Sequence, residues 1–559
     1  MTEYSNHRSA YEVLQACIAN GVKQVVISPG SRNAPLVLTF AKQPDIECFS
    51  VVDERTAAFF ALGLSQQSHL PTALVCTSGT AVLNYAPAVA EAYEQNIPLL
   101  VISADRPEEF IDQGVGQAIR QKGILNNFVE KHYQLPAGSE RKDVAYARRM
   151  ANEAVNLCKQ KHRPVHINIP FWEPLYDKTE YDDDKHKVIH STELSQQLTK
   201  NEQDRLLAKL NDASSVLIVG GFISENSKLN DLLDSMVNKG KAVVLTESIA
   251  NQKSDKFYYN IDRLLSAMPE NSSFQPDLLI TFGGTLISKM VKQWLRKDPP
   301  KEHWHLNKRD YFVDTFQCLS ENIPLKPEVF FEQISKGWKK SDEEYSTRWR
   351  ELAKIADKKH HNYLKDLLWS DFQAFNVILK NLPAQSLLHL GNSTVIRYHQ
   401  LFPYNAEVSY FSNRGVSGID GCTSTAVGAA YNFDGFTTLI TGDISLGYDS
   451  NALWHQYVNP KLRIIVINNG GGGIFRFLEA SSKHQELEQF FETTHSNQSY
   501  EHLASHWGIN YQSVDNKNDL ELKLKDFYTG NKARILEIFT PQIDSAKVLR
   551  GYFRFMKKK

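Results

Sequence analysis

The chain has 559 residues and carries 63 Lys plus Arg against 64 Asp plus Glu, a formal net charge of -1. Apolar residues make up 42% and charged residues 23%, which excludes bulk disorder and predicts three or four packed domains. Charge this evenly balanced gives no support to a protein that binds nucleic acid or a membrane surface, so neither partner is expected.

The first ten residues, MTEYSNHRSA, are polar and lack the apolar core of a secretory signal, so the cytoplasm is the expected location. Ala10, Val13, Leu14, Cys17 and Ile18 recur at helical spacing, and Gly21 closes that helix. Four strand–loop–helix units follow. Their strands are VKQVVIS (22–28), IECFSV (46–51), TALVCT (72–77) and PLLVIS (98–103). The strands are almost continuously apolar, as expected for a parallel sheet covered by helices on both faces. The segment AAFFALGL (57–64) is apolar on every side and predicts a buried helix. Residues 56–90 hold no charge, yet Gln66, Gln67, Ser68, His69 and Pro71 interrupt them, and no membrane span is expected.

The pattern recurs twice. SSVLIVGG (214–221), KAVVLT (241–246) and PDLLITFGG (276–284) form a central block. SLLHLGNS (386–393), TTLITGD (437–443), LRIIVINN (462–469) and ARILEIF (533–539) form a third. The expectation is an α/β protein of three doubly wound parallel-sheet domains, at 1–180, 190–340 and 360–559. The run KTEYDDDKHK (178–187) reads as a linker, and the charge-rich 339–362 as a solvated helix.

Six cysteines, Cys17, Cys48, Cys76, Cys158, Cys318 and Cys422, are scattered without CxxC or Cys/His spacing, so no zinc site or disulfide framework is expected. None of the 18 histidines is assigned a role, and His389 reads as core. Glu54 follows Gly30 by 24 residues, which mimics a dinucleotide-binding unit, but Pro29-Gly30-Ser31-Arg32 lacks the second and third glycines.

Ligands of open parallel sheets bind beyond the carboxyl ends of the strands. There the strongest signal is Gly442-Asp443, followed 26 residues after Asp443 by Asn469 in INNGGGG (467–473). Both end apolar strands, and a helix is expected around 451–458 between them. A carboxylate, an amide oxygen and a glycine-turn carbonyl make a hard-oxygen site, suited to Mg²⁺ that keeps positions open for a diphosphate. The glycines let backbone N–H groups approach phosphate oxygens.

This pairing resembles the signature of the thiamine diphosphate enzymes. SPGSRN (28–33), DERTAAFFALGL (53–64), TSGTAVLN (77–84), ISADRP (102–107), QAIRQ (117–121), GNSTVIR (391–397), SNRGVSGIDG (412–421) and GDISLGYDSNAL (442–453) narrow the resemblance. They resemble the MenD family of menaquinone biosynthesis, the 2-succinyl-5-enolpyruvyl-6-hydroxy-3-cyclohexene-1-carboxylate synthases. The resemblance implies a transferase that uses thiamine diphosphate and Mg²⁺ or Mn²⁺. It would decarboxylate 2-oxoglutarate and add the succinyl semialdehyde carbanion to isochorismate in a Stetter-like 1,4-addition.

By that resemblance Asp443, the Asn469 side chain and the Gly471 carbonyl hold the metal, with Gly442 beside the diphosphate. Glu54 hydrogen-bonds the pyrimidine N1′. Ile419 is the wedge beneath a bent cofactor, and Ile474, Phe475 and Leu478 line the pocket. Arg32, Arg106, Gln117 and Lys289 face isochorismate, Arg397 and Arg414 hold the distal carboxylate of 2-oxoglutarate, and Ser31 and Ser393 hydrogen-bond substrate. Two positions depart from the family's pattern, Met290 where a second basic residue is common and Gly116 where Asn is common. Glu54 and Asp443 belong to different domains, and the resemblance implies that they meet across a homodimer, alone or within a homotetramer. An acetohydroxyacid synthase or a 2-oxoacid decarboxylase is the alternative within the superfamily.

Overall fold

The computed structural model describes residues 3–181, 187–192, 194–270, 274–307, 309, 311–477, 484–493, 495 and 498–558. Leu478 and most of the charged run at 182–186 lie outside them. Three parallel sheets carry the fold. The first has six strands in the order Glu47–Ser50, Gln24–Ile27, Thr72–Cys76, Leu99–Asp105, Val165–Pro170 and His132–Gln134. The third runs Val408–Phe411, Ser386–Leu390, Thr437–Gly442, Leu462–Asn468, Arg534–Phe539 and Asn510–Val514. Numbered in chain order within each sheet, both read 2-1-3-4-6-5, so the two are topological repeats. The central sheet has five strands, Ala242–Thr246, Val216–Gly220, Leu278–Phe282, Glu302–Leu306 and Glu321–Ile323.

In both six-stranded sheets the chain reverses its direction of growth between the first and third strands. That crevice is where an open α/β sheet binds ligand. In the first sheet it lies between the ends at Ile27 and Cys76, and in the third between Leu390 and Gly442.

The repeats pack through two helices. Glu54–Ser68 is buried on every side from Thr56 to Ser65, and Cys422–Tyr431 is buried from Cys422 to Ala430. They cross at Gly63 and Gly428. A Cβ on Gly63 would overlap the Thr425 carbonyl, and one on Gly428 would overlap that of Phe60. Only glycine lets these backbones meet.

Two expectations need correction. Between Asp443 and Asn469 the helix is Asp443–Tyr448, followed by a 3₁₀ turn at Ser450–Leu453, and nothing helical reaches Val458. Asp443 is therefore the first residue of a helix and not only the end of a strand. The charge-rich helix, Glu344–Leu364, is not simply solvated: Tyr345, Trp349, Leu352, Ala356 and His360 are buried along one face. Its many Lys and Glu occupy the other face. In the linker run, Lys178–Glu180 pairs antiparallel with Glu3–Ser5. Among the described residues no helix is long and apolar enough to cross a membrane.

Candidate active site

The Asp443 carboxylate is 3% exposed at the helix N-terminus that follows Gly442. Its Oδ2 accepts from the Gly471 N–H at 2.8 Å and from His495 Nε2 at 3.0 Å, and its Oδ1 accepts from the Ile444 N–H at 2.9 Å. Its carbonyl accepts the Tyr500 hydroxyl at 2.5 Å. Burial pushes the carboxyl above the usual range, and these donors oppose that shift. Asn469 lies at the end of the neighbouring strand, 5% exposed. Its amide nitrogen donates to Asp371 at 2.9 Å, while its amide oxygen is buried and meets no partner among the described residues. The Gly471 carbonyl accepts from Gly473 N–H at 2.9 Å and keeps a second lone pair.

An orphaned buried amide oxygen beside an acidic helix start is what a bound cation relieves. A Cβ built on Gly442 would meet nothing within 4 Å, so there is room beside the carboxylate. The residues present fit a small divalent metal and a diphosphate. Ile419 is half-buried, and its carbonyl accepts from Ser445 Oγ at 2.9 Å, which ties the expected wedge to the Asp443 helix. Ile474 and Phe475 lie half-buried on the short helix Gly473–Phe477, where the Phe475 ring meets Phe491 at 5.2 Å.

Glu54 opens the helix Glu54–Ser68, with Asp53 as the N-cap accepting from Thr56 N–H at 3.2 Å. Glu54 is half-buried, and among the described residues its side chain accepts from the Asn84 amide at a long 3.4 Å. Burial raises its carboxyl above the usual range, Asp53 adds to this, and Asn84 opposes it. Its neighbours are held by the same chain's third sheet. Asn451 donates to Asp53 at 2.8 Å, and Arg55 donates to the Tyr448 carbonyl at 2.9 Å.

The expected cations fall into two groups. Arg32 is 4% exposed and donates to the Phe171 carbonyl and to Glu173, each at 2.9 Å. Arg106 lies 3.7 Å from the same Glu173 carboxylate and donates to the Gly116 carbonyl at 3.1 Å. Glu173, absent from the expectations, thus bridges both guanidinium groups. Ser31 and Gln117 are exposed nearby, Gln117 with a φ of 56°. The buried member of QAIRQ is Gln121. It accepts from Gly79 N–H at 2.7 Å and donates to the Ala104 carbonyl at 3.1 Å and to Asn168 at 2.9 Å, lacing the Gly79 loop to the strands Leu99–Asp105 and Val165–Pro170.

Arg397 and Arg414 form the second group. Burial lowers the pKa of each, and the Arg414 charge depresses Arg397 further. Arg414 donates to Asn392 at 3.1 Å, its Nε is buried without a partner, and Asn392 donates to the carbonyls of Asn413 and Gly418. Arg397 reaches the carbonyl of Ser393, whose φ is 71° with ψ -125°, a strained backbone beside the site. Acids from the other two sheets' units surround this pair. Glu91 accepts from the N–H groups of Gly415 at 2.6 Å and Val416 at 2.7 Å. Glu247 is fully buried and accepts from Ile287 and Ser288 N–H groups at 2.7 and 2.8 Å. Burial pushes Glu247 up to about 7, against those N–H groups and Arg414. Lys289 is exposed at the start of the helix Lys289–Lys297. Lys292, one turn on, lies close enough to Arg414 for their charges to interact. Its spacing of three from Lys289 was the available signal for a second cation on that face.

A family model described as thiamine pyrophosphate enzyme, N-terminal TPP binding domain, matches residues 8–124. One described as thiamine pyrophosphate enzyme, C-terminal TPP binding domain, matches residues 390–538. The chain is 40% identical to the 2-succinyl-5-enolpyruvyl-6-hydroxy-3-cyclohexene-1-carboxylate synthase of Porphyromonas gingivalis, covering 99% of this chain and 98% of that one. It is 41% identical to the synthase of the same name from Flavobacterium psychrophilum, over 98% of each. With that of Christiangramia forsetii it shares 38% identity over 99% of this chain and all of the other.

Proposed function

The chain belongs to the family of 2-succinyl-5-enolpyruvyl-6-hydroxy-3-cyclohexene-1-carboxylate synthases, thiamine diphosphate-dependent enzymes, and we propose how its residues share out that family's reaction. The reaction decarboxylates 2-oxoglutarate and adds the remaining four-carbon unit to isochorismate, in menaquinone biosynthesis. Bound thiamine diphosphate supplies the nucleophilic carbon and the electron sink that both steps need.

Asp443, the Asn469 amide oxygen and the Gly471 carbonyl would hold Mg²⁺ or Mn²⁺ and, through it, the diphosphate. Glu54, with a carboxyl raised by burial, is suited to share a proton with a ring nitrogen of the pyrimidine. Arg397 and Arg414 would take the distal carboxylate of 2-oxoglutarate by forked hydrogen bonds. Arg32, Arg106, Gln117 and Lys289 would face isochorismate, with Ser31 and Ser393 bonding substrate. On this reading Glu173 occupies the Arg32–Arg106 pair until a substrate carboxylate replaces it.

The observation that carries the assignment is the pairing of half-buried Arg397 with buried Arg414, which follow two strands of the same sheet that bears Asp443 and Asn469. Two guanidinium groups near enough for the charge of Arg414 to depress Arg397 suit a second carboxylate on the substrate. An acetohydroxyacid synthase or a simple 2-oxoacid decarboxylase has no use for both. Turnover of 2-oxoglutarate with and without isochorismate tests this. Coupling of the two substrates supports it, and preference for pyruvate overturns it.

We also infer a homodimer in which Glu54 serves the partner's metal site. Val52, Leu83, Tyr448 and Trp454 are 52%, 43%, 55% and 55% exposed, and all lie beside Glu54 and the segment its neighbours touch. Apolar side chains gathered around a reactive carboxylate fit a surface that a second copy covers. The cytoplasm suits the chain, because all six cysteines are free thiols.

A further inference from the structure

An asparagine amide has two ends of nearly equal size, and only the oxygen end can ligate a metal. At Asn469 one contact decides which end is held and which is left open. The amide nitrogen lies 2.9 Å from Asp371 Oδ2, and the oxygen is left buried without a partner among the described residues. Turning the amide over would set two oxygens against each other at hydrogen-bond distance and aim N–H groups at the cation. Asp371 is itself held from two further elements. Its Oδ1 accepts from Thr540 Oγ1 at 2.5 Å and from Ser545 Oγ at 3.2 Å, and its own N–H donates to Ser545 Oγ at 3.0 Å. Thr540 follows the strand Arg534–Phe539, and Ser545 lies on the last helix, Gln542–Lys557. Every one of these side-chain partners donates to Asp371. The site is also tight from the other side: a Cβ on Gly473 would come within 2.7 Å of the Asn469 amide nitrogen.

We propose that Asp371, at the start of the helix Asp371–Ile378, is a positioning residue for the metal site: by holding the Asn469 amide nitrogen it presents the amide oxygen to the cation. It touches neither metal nor substrate. The inference rests on reading Asn469 as a ligand, and its test separates the two. Outer partners of metal ligands, when removed, typically cost about 10- to 100-fold in metal affinity.

The experiment titrates the full-length protein, saturated with thiamine diphosphate, with Mn²⁺, and counts free Mn²⁺ by electron paramagnetic resonance. Wild type, Asp371→Leu, Asn469→Ala and the double variant are compared. Asp371→Leu is expected to raise the Mn²⁺ Kd about 10- to 100-fold, comparable to Asn469→Ala. In the Asn469→Ala background the same change is expected to add less than about twofold, because the amide it orients is gone. Wild-type affinity in Asp371→Leu overturns the proposal. So does an Asp371→Leu effect undiminished in the Asn469→Ala background, which assigns Asp371 to general packing. Wild-type affinity in Asn469→Ala instead overturns the ligand reading beneath it. Should Asp371→Leu not fold, Ser545→Ala loosens the same carboxylate. A severalfold weaker Mn²⁺ affinity then supports the proposal, and unchanged affinity overturns it.

Discussion

The two ends of the proposed cofactor site are built to different standards of completeness within one chain. At the metal end, Asp443 is 3% exposed, takes three N–H donors, and sits against Asn469 and Gly471 of the adjoining strand end. At the other end, Glu54 is half-buried, has one 3.4 Å hydrogen bond, and is ringed by exposed apolar side chains. The metal clamp joins two neighbouring strands of one sheet, so folding that sheet assembles it. The acid opens the helix Glu54–Ser68 of the first sheet's unit, and on the proposed homodimer a second copy would complete its crevice. On the proposed homodimer, metal binding would be a property of the folded chain and catalysis a property of the assembly.

The largest expected effects test that division directly. Glu54→Gln should lower kcat about 10²- to 10⁴-fold while calorimetry shows thiamine diphosphate and metal still bound. Asp443→Ala should instead abolish metal binding and turnover together. Co-expressing the two variants then discriminates between shared and private sites. If Glu54 serves its partner, a hybrid dimer contains one intact site, and random pairing restores roughly a quarter of wild-type activity. No recovery in a purified hybrid means that each chain supplies both residues to its own site, and the contrast drawn above fails.

The same division governs what could be read in the sequence. Strands such as Leu99–Asp105 and Leu462–Asn468 announce themselves because both faces are buried and the apolar run is unbroken. The short edge strands His132–Gln134 and Asn510–Val514 are polar or half-exposed and carry no such run. Glu54 and Asp443 are legible because each follows a readable strand. Asp371 is not: it lies 98 residues before the side chain it orients, and nothing local marks the pairing. Glu91 and Glu247 escaped for the same reason, since the backbone partners of Glu91 come from the third sheet's unit and those of Glu247 lie 40 residues on, after another strand of its own sheet. The helix Glu344–Leu364 misled because its charges outnumber an apolar stripe that is nonetheless periodic.

An intermediate effect is expected where the substrate-binding groups sit. Arg414 is 6% exposed and spends one hydrogen bond on Asn392, leaving its fork for a ligand. Arg414→Lys keeps the charge and loses the fork. Hydrogen bonds to charged groups contribute about 1.5–3 kcal/mol each, so KM for 2-oxoglutarate should rise about 10- to 100-fold with a smaller change in kcat. Steady-state kinetics at saturating isochorismate measures it. An unchanged KM would move the distal carboxylate elsewhere, with the Arg32–Arg106 pair the next candidate.

Smaller still is the cost of disturbing the contact that holds the two repeats together. Gly63→Ala forces a methyl group onto the Thr425 carbonyl, which is backbone and cannot swing away. Overpacking of this kind costs about 1–3 kcal/mol. Chemical denaturation should show the loss, and Mn²⁺ affinity should survive it, because the metal clamp does not depend on the helix crossing. Loss of metal affinity in a folded Gly63→Ala would show that the clamp leans on the first sheet after all.

The finest test uses Asp449, the point where the first sheet's Arg55 approaches the third sheet's helices. Asp449 is fully buried, accepts from the Ser424 N–H and hydroxyl at 2.7 Å each, and lies 3.9 Å from Arg55. Burial lifts its carboxyl to about 7, well above an unfolded value of about 3.9, in spite of these partners. A group whose folded pKa is raised binds its proton more tightly in the native state, so folding is favoured while the proton stays on. Its contribution is therefore greatest below about pH 4 and is lost as pH rises toward about 7. Asp449→Asn keeps the shape and one acceptor oxygen but cannot ionise. The difference in Tm between variant and wild type should accordingly grow in the variant's favour between about pH 4 and pH 7, by a few degrees, and stay flat above that. Glu247 and Asp105, whose carboxyls burial also raises, titrate in both proteins and cancel in that difference. A flat difference across the whole range would mean that Asp449 stays ionised throughout, with Arg55 and Ser424 compensating its burial. The junction between the repeats would then be a true ion pair, and no longer the soft contact that leaves the metal end independent of the acid end.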